Sequence, residues 1–248
     1  MIDYLIVYFQ FFTVIPIPVE INQSGDKLKK AVPYFPLFAS LYSLLLVGIF
    51  CLLRLFLTDW TAATLCLGMD ILLTRGFHYD ALADTVDGLW SSRSVESILK
   101  IMKDPLIGAN GVLVLLLVLL IKSLLFFDLT LVEEFPAVTM IFVWASGGRC
   151  LIPWMFMDFT YVSANPHGLG AVFKGVSKQE IFLSQFIALM IYGLIDLQLV
   201  GVYLVATLFI LIYRHSVIRK IGGMTGDTMG ACVPLGQVVL LFLLIIFY

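Results

Sequence analysis

GVLVLLLVLLIKSLLFF, residues 111–127, contains one charged side chain, Lys122, in a run that is otherwise almost wholly aliphatic and aromatic. It shows neither the alternation of a half-buried strand nor the polar stripe of a surface helix. At about 1.5 Å rise per residue, a helix of this length covers most of a hydrocarbon core about 30 Å thick, so the run reads as a membrane span.

Comparable runs lie near 33–57, 61–74, 136–157, 180–195, 198–213 and 231–248, the 61–74 run being short and carrying Asp70. Barrel strands would be short alternating segments, and these runs are not. The expected fold is therefore all-α: a polytopic membrane bundle of about seven transmembrane helices, with short cytoplasmic helices and loops forming the site. Composition agrees, since 61% hydrophobic and 13% charged residues among 248, with mean hydropathy +1.03, exclude an ordinary soluble chain. With no internal repeat or low-complexity tract, residues 1–248 are read as one membrane-embedded domain. The N-terminus, MIDYLIVYFQFFTVIPIP, has an acid at Asp3 and no basic stretch before its apolar run, so it is expected to stay in or near the interface rather than be cleaved. Cys51, Cys66, Cys150 and Cys232 form no CxxC pair and read as small core residues.

Charge gives the sidedness. Lys27, Lys29 and Lys30 precede the first span; Arg75, Arg93, Lys100 and Lys103 follow the second; Lys174 and Lys178 follow the fourth; Arg214, Arg219 and Lys220 follow the sixth. The alternate connections hold Asp59, Asp128, Glu133, Glu134 and Asp196 with no lysine or arginine. The basic segments are therefore expected to be cytoplasmic. Segments 75–110, 158–179 and 214–230 would meet on that side and build one site.

The polar residues of those segments are unusual for so oily a chain. HYDALADTVDG, 78–88, places Asp80, Asp84 and Asp87 at i, i+4 and i+7, one face of a helix that Gly88 and the serines at 91 and 92 would end. The outer two carboxylates would lie roughly 10 Å apart along the axis, too far for all three to hold one ion. Two ions, or one ion and a bridging phosphate, fit better, and hard oxygen donors without sulfur point to Mg²⁺. The plainer alternative is a solvated helix face. KIMKDPLIGANG, 100–111, sets Lys100, Lys103 and Asp104 on one face, either phosphate contacts or ordinary flanks of the next span. RKIGGMTGDTMGA, 219–231, surrounds Asp227 with small residues and adds Thr225 and Thr228; it reads as a weak phosphate cradle or as close helix packing. NPHGLGAVFKG, 165–175, reads as a glycine-marked loop in which His167 is solvated. Arg149, inside the fourth span, is costly there and by default functional, facing acids or substrate rather than lipid, whereas Lys122 is placed to snorkel. Asp70 is read as pairing with Arg75.

TRGFHYDALADTVDG (74–88), KIMKDPLIGANG (100–111), GGMTGDTMGA (222–231) and, more weakly, GLGAVFKG (168–175) resemble, in order, the motifs of the cobalamin synthase family, the adenosylcobinamide-GDP ribazoletransferases. The likeness runs from FFTVIPIP at 11–18 to the end of the chain. It implies a multi-pass enzyme of the cell inner membrane with its active site facing the cytoplasm. There a ribose hydroxyl of α-ribazole, or of its 5′-phosphate, would attack the phosphorus attached to cobinamide in adenosylcobinamide-GDP and release GMP. It further implies Asp80, Asp84 and Asp87 as Mg²⁺ ligands, with Asp104 and Asp227 supporting those ligands or acting as additional ones, all five being catalytic carboxylates. His78, Arg75, Lys103, Arg149, Gly223, Thr225, Gly226 and Thr228 would contact substrate. Departures are Arg75 and Ala81, where the family commonly has glycine, and Pro105-Leu106, where it has Ser-Arg. The bilayer is the partner the composition itself demands; no nucleic-acid partner is expected, and the sequence leaves homo-oligomerisation open. The competing readings are a CDP-alcohol-type membrane phosphotransferase, whose D-G-x-x-A-R pattern is missing here, and an ion-coupled or small-molecule carrier, which would place its acids near the midplane of repeated halves.

Overall fold

The computed structural model describes residues 1–22, 24–91, 93–132, 135–163 and 168–248. Among these, the chain forms helices α1 (Ile2–Phe12), α2 (Ser24–Lys30), α3 (Phe35–Leu53), α4 (Asp59–Leu73), α5 (Phe77–Leu89), α6 (Val95–Ile101), α7 (Ala109–Thr130), α8 (Ala137–Cys150), α9 (Lys178–Ile195), α10 (Leu197–Ile221), α11 (Gly226–Gly230) and α12 (Cys232–Phe247). Short 3₁₀ turns cover Val32–Tyr34, Ile152–Phe156 and Leu169–Phe173. The described residues contain no strand, and one isolated bridge joins Tyr161 to Met224.

Six stretches are long and apolar enough to cross a membrane: Val32–Leu53, Ala109–Thr130, Ala137–Phe156, Lys178–Ile195, Leu197–Ile221 and Gly226–Phe247. The seventh expected span, 61–74, corresponds to α4, whose 15 residues reach about 22 Å and fall short of the hydrocarbon core. Thr58 caps its start by accepting from Thr61 N–H. Its end comes at Leu73, because Arg75 (φ 53°) and Gly76 (φ 65°) are both left-handed and break the helix.

The core centres on α8, in which every residue from Met140 to Cys150 is buried. Gly147 and Gly148 allow α12 to approach, since a Cβ on Gly148 would meet the Val233 carbonyl at 2.6 Å and one on Gly147 would strike Leu240. In contrast, α7 presents Leu113, Leu116, Leu117, Leu120 and Leu124 outward, as a helix facing lipid does.

Two cations are wholly buried: Arg149 meets an acid, as expected of it, but a different one from those of the candidate site, and Lys122 departs from expectation. Arg149 bonds Asp70 at 2.5 Å and the Ala145 carbonyl at 2.7 Å, and lies over the Tyr42 ring, while Tyr42 also donates to Asp70. Asp70 thus pairs with Arg149, not with exposed Arg75, because α4 ends before Arg75 and turns it away. Lys122 does not snorkel; it is wholly buried, donating to Tyr79 Oη at 2.9 Å and Gln237 Oε1 at 2.5 Å.

The charge asymmetry maps onto the two ends of the bundle with the exception of Arg54, which lies just past α3 and pairs with Asp59 at the acidic end. At one, Lys220 donates to the Leu89 carbonyl and Lys103 to Asp227, and the Tyr161–Met224 bridge ties the 158–163 segment to the turn before α11. At the other, Trp60 donates to Ser123 and Tyr248 to Asp196. Glu133, Glu134, Ser92 and His167 lie outside the described residues. The N-terminal run forms α1, which packs through Val7, Tyr8 and Phe12 while Ile2 is exposed. All four cysteines are free, and all but Cys51 are buried.

Candidate active site

The left-handed break at Arg75–Gly76 starts α5 and aims it along the first turns of α7. Gly76 N–H reaches back to the Ile71 carbonyl at 2.7 Å, which closes α4 tightly. The position held by Arg75 demands a positive φ, which explains why glycine is the expected residue there. Ala81 is tolerated because residue 230 is glycine: a Cβ on Gly230 would meet that of Ala81 at 2.7 Å.

All three aspartates of the acidic stretch lie on α5, as its spacing predicts, but they have different surroundings. Asp80 is exposed, and Asp84 and Asp87 are half-buried. The Asp87 carboxylate accepts from Gly108 N–H and Gly111 N–H, both at 2.8 Å, and so satisfies two unpaired donors at the start of α7. Asp84 instead faces a polar cavity of about 250 Å³ that it shares with Asp80, Lys103 and Asp104. Burial, followed by the charges of Asp80 and Asp227, pushes the Asp84 carboxyl up to about 7, with Lys103 opposing. Partial burial works against the Lys103 ammonium, yet its 2.6 Å bond to Asp227 outweighs this and holds its pKa above the ordinary lysine value. Asp104 accepts from Leu106 N–H, which shapes the turn at Pro105.

A second, largely apolar cavity of about 290 Å³ adjoins the first, and Asp80 and Lys103 line both. His78, Phe12, Phe77, Tyr161, Gly226 and Asp227 border it. Burial pushes His78 down to about 3, so its imidazole is neutral. Phe11 and Phe12, from α1, also line this cavity; the sequence reading used them only as the start of the family likeness and gave them no part in the site. A third, open cavity of about 830 Å³ takes in Arg75 and again Asp80.

The remaining predicted residues fall elsewhere. Thr225 and Thr228 are buried and cap one another, with Thr228 N–H on Thr225 Oγ1 at 3.0 Å and Thr225 N–H on Thr228 Oγ1 at 2.9 Å, so they build the start of α11. Gly223 packs against the Thr160 carbonyl, where any side chain would collide. Arg149 lines none of the three cavities and is committed to Asp70. The end of α5 falls at Leu89, with Ser91 Oγ donating to the Gly88 carbonyl, as the serine there suggested. Among the described residues no three His, Cys, Asp or Glu side chains converge as a metal cage.

A bundle of membrane-length apolar helices with carboxylates, a lysine and paired cavities at one end is a multi-pass integral membrane protein with a polar site at its mouth. The family model for cobalamin-5-phosphate synthase matches residues 4–245, and the chain belongs to that family. It is similar to proteins named adenosylcobinamide-GDP ribazoletransferase from Listeria welshimeri (38% identity over 98% of this chain and 97% of the relative), Listeria monocytogenes (37%, 98% of each) and Clostridium novyi (32%, 98% and 96%). No solved structure matches the chain.

Proposed function

We propose that this chain joins adenosylcobinamide-GDP to α-ribazole, or to its 5′-phosphate, in the last steps of vitamin B12 assembly, and that it does so in the cell inner membrane with the mouth described above facing the cytoplasm. The observation that carries the reading is the grouping of Asp80, Asp84, Asp104 and Asp227 around Lys103 in a chain similar to its relatives along nearly its whole length. The basic residues at the same end support the orientation.

The reaction forms a bond from a ribose oxygen to the phosphorus attached to cobinamide and breaks the bridge from that phosphorus to GMP, which leaves. Such transfers have loose transition states, so positioning and charge neutralisation carry the catalysis, and the hydroxyl proton is surrendered late, to a carboxylate of the cluster. Lys103 is placed to neutralise a phosphate oxygen. The chemistry of the donors fits Mg²⁺: hard carboxylate oxygens, and a half-buried Asp84 whose negative form is disfavoured without a cation. Asp80 and Asp84 would hold it, with water and substrate phosphates completing the shell, and it would supply charge neutralisation on the diphosphate. Asp87, occupied by α7, would fix the helix that carries them. The clustering of the acids at one mouth favours this reading over a carrier.

The test is GMP release by purified protein in liposomes given adenosylcobinamide-GDP and α-ribazole 5′-phosphate, with Mg²⁺ or with EDTA. Release with a cobalamin product, abolished by EDTA, is expected. A folded protein that releases no GMP in either condition overturns the proposal.

A further inference from the structure

The apolar cavity has a construction that the phosphate chemistry leaves unexplained. Its walls are aromatic: Phe12 stacks on the His78 imidazole with ring centroids 5.7 Å apart, and Phe156 stacks on Phe173 at 4.1 Å. Glycines close another side, where Gly170 and Gly226 lie against each other and a Cβ on Gly170 would meet the Gly226 Cα at 2.8 Å. His78 is 2% exposed, lines this cavity, and has an Nε2 with no hydrogen-bond partner. A buried polar nitrogen left unpaired is costly, so a ligand atom that pairs it gains affinity.

We infer that this cavity is the base subsite of the nucleoside acceptor, taking a fused aromatic heterocycle with few polar substituents, whose free ring nitrogen accepts a hydrogen bond from His78 Nε2–H. The inference rests on the transferase reading above and narrows it to one moiety. Guanine, the base of the leaving nucleotide, carries a carbonyl, a ring N–H and an amino group that the aromatic and glycine walls cannot pair, and the polar groups that line the cavity, Asp80, Lys103 and Asp227, are taken by the phosphate chemistry proposed above. A corrinoid far exceeds about 290 Å³. A benzimidazole-type base presents two aromatic faces and one ring-nitrogen acceptor, which is what stacked aromatic walls and one unpaired imidazole nitrogen accommodate. Because Asp80 and Lys103 line this cavity and the polar one, a base seated here brings its ribose to their rim, beside the carboxylates.

The experiment compares His78→Phe, which keeps the aromatic volume and removes the nitrogen, with Phe77→Leu at the half-buried rim, both in nanodiscs. Two quantities are read: the KM of acceptor and of donor in the transfer, and equilibrium dialysis of radiolabelled α-ribazole without donor. Expected are binding of the riboside by the unaltered protein, about tenfold weaker binding and higher acceptor KM in His78→Phe, and a donor KM unchanged within twofold. Since both variants are read, a folding failure in one leaves the other to decide. Acceptor KM and riboside binding unmoved in the folded variants, or a rise in donor KM alone, overturns the subsite while leaving the transferase standing. Riboside binding that both variants weaken, in a protein that catalyses no transfer, upholds the subsite and overturns the transferase. No riboside binding by the unaltered protein overturns the subsite.

Discussion

Asp84 and Asp87 are three residues apart on one helix and do different things, because one faces water and other acids while the other meets backbone N–H groups. A carboxyl raised to about 7 in the folded protein holds its proton where the unfolded chain, near 3.8, has lost it. Stability is therefore expected to fall as pH rises from about 4 to 7 and to stay lowered above that. In EDTA, Asp84→Asn should flatten this decline and melt at a higher temperature than the unaltered protein at pH 8, with no difference at pH 4. Mg²⁺ at pH 8 should raise the melting temperature of the unaltered protein and not of the variant; equal responses would remove Asp84 from the ion site. Arg75 makes a second case. A non-glycine residue at φ 53° costs about 1–2 kcal/mol, and the extra chain entropy of glycine returns about 0.5–1 of it. Arg75→Gly should therefore stabilise by about 0.5–1 kcal/mol in thermal melts, and a simultaneous loss of transfer would show that the guanidinium contacts substrate. The sequence showed that this place prefers glycine through resemblance alone; the left-handed break that explains it depends on how α4 ends, which no local pattern announces.

At the scale of elements, the acid spacing on α5 was legible because helical period is a local property. What Asp87 bonds was not, since Gly108 and Gly111 come to it from a different helix. Asp87→Ala would strip two N–H groups at the start of α7 of their acceptor and is expected to lower stability by about 1–2 kcal/mol, comparable to losing a helix cap. Mg²⁺-induced stabilisation should survive that change. Its loss in Asp87→Ala, at unchanged melting temperature, would make Asp87 a ligand instead of a tie. The threonines near Asp227 teach the same lesson in reverse: T-x-x-T is a capping pattern visible in sequence, and it accounts for both hydroxyls before any anion is invoked. The short α4 was visible in the hydropathy profile, but its pairing with α8 was not.

Across the whole molecule, composition and the distribution of lysines and arginines fixed class, approximate span number and the gathering of the polar segments, because these depend on sums over many residues. The partners of single buried charges depend on which helices touch, and for that reason Asp70 was assigned the wrong arginine and Lys122 a snorkelling place instead of its buried bonds. The Arg149–Asp70 pair is 1% and 2% exposed, so removing one member leaves an uncompensated charge. Arg149→Met is expected to cost about 3–5 kcal/mol, and the double change with Asp70→Leu to recover most of it, as measured by thermal melts in detergent. A double variant as unstable as the single one would mean that the pair fixes the geometry of the bundle beyond its charge balance.

That pair also bears on how the chain is made. Asp70 reaches the membrane 79 residues before Arg149, an interval of several seconds at about 5–20 residues per second. During it, a short helix with a lone carboxylate lacks the guanidinium that pairs it, since Lys122, a buried cation that comes earlier, is turned to Tyr79 and Gln237, so α4 should wait at the lipid surface and settle only when α8 inserts. In a Cys51→Ser background, a nascent chain stalled at residue 140 should expose Cys66, buried in the finished protein, to a water-soluble thiol reagent, whereas a chain released at full length should shield it. Insertion of this bundle is then a delayed event, with α4 completed by the arrival of a later helix.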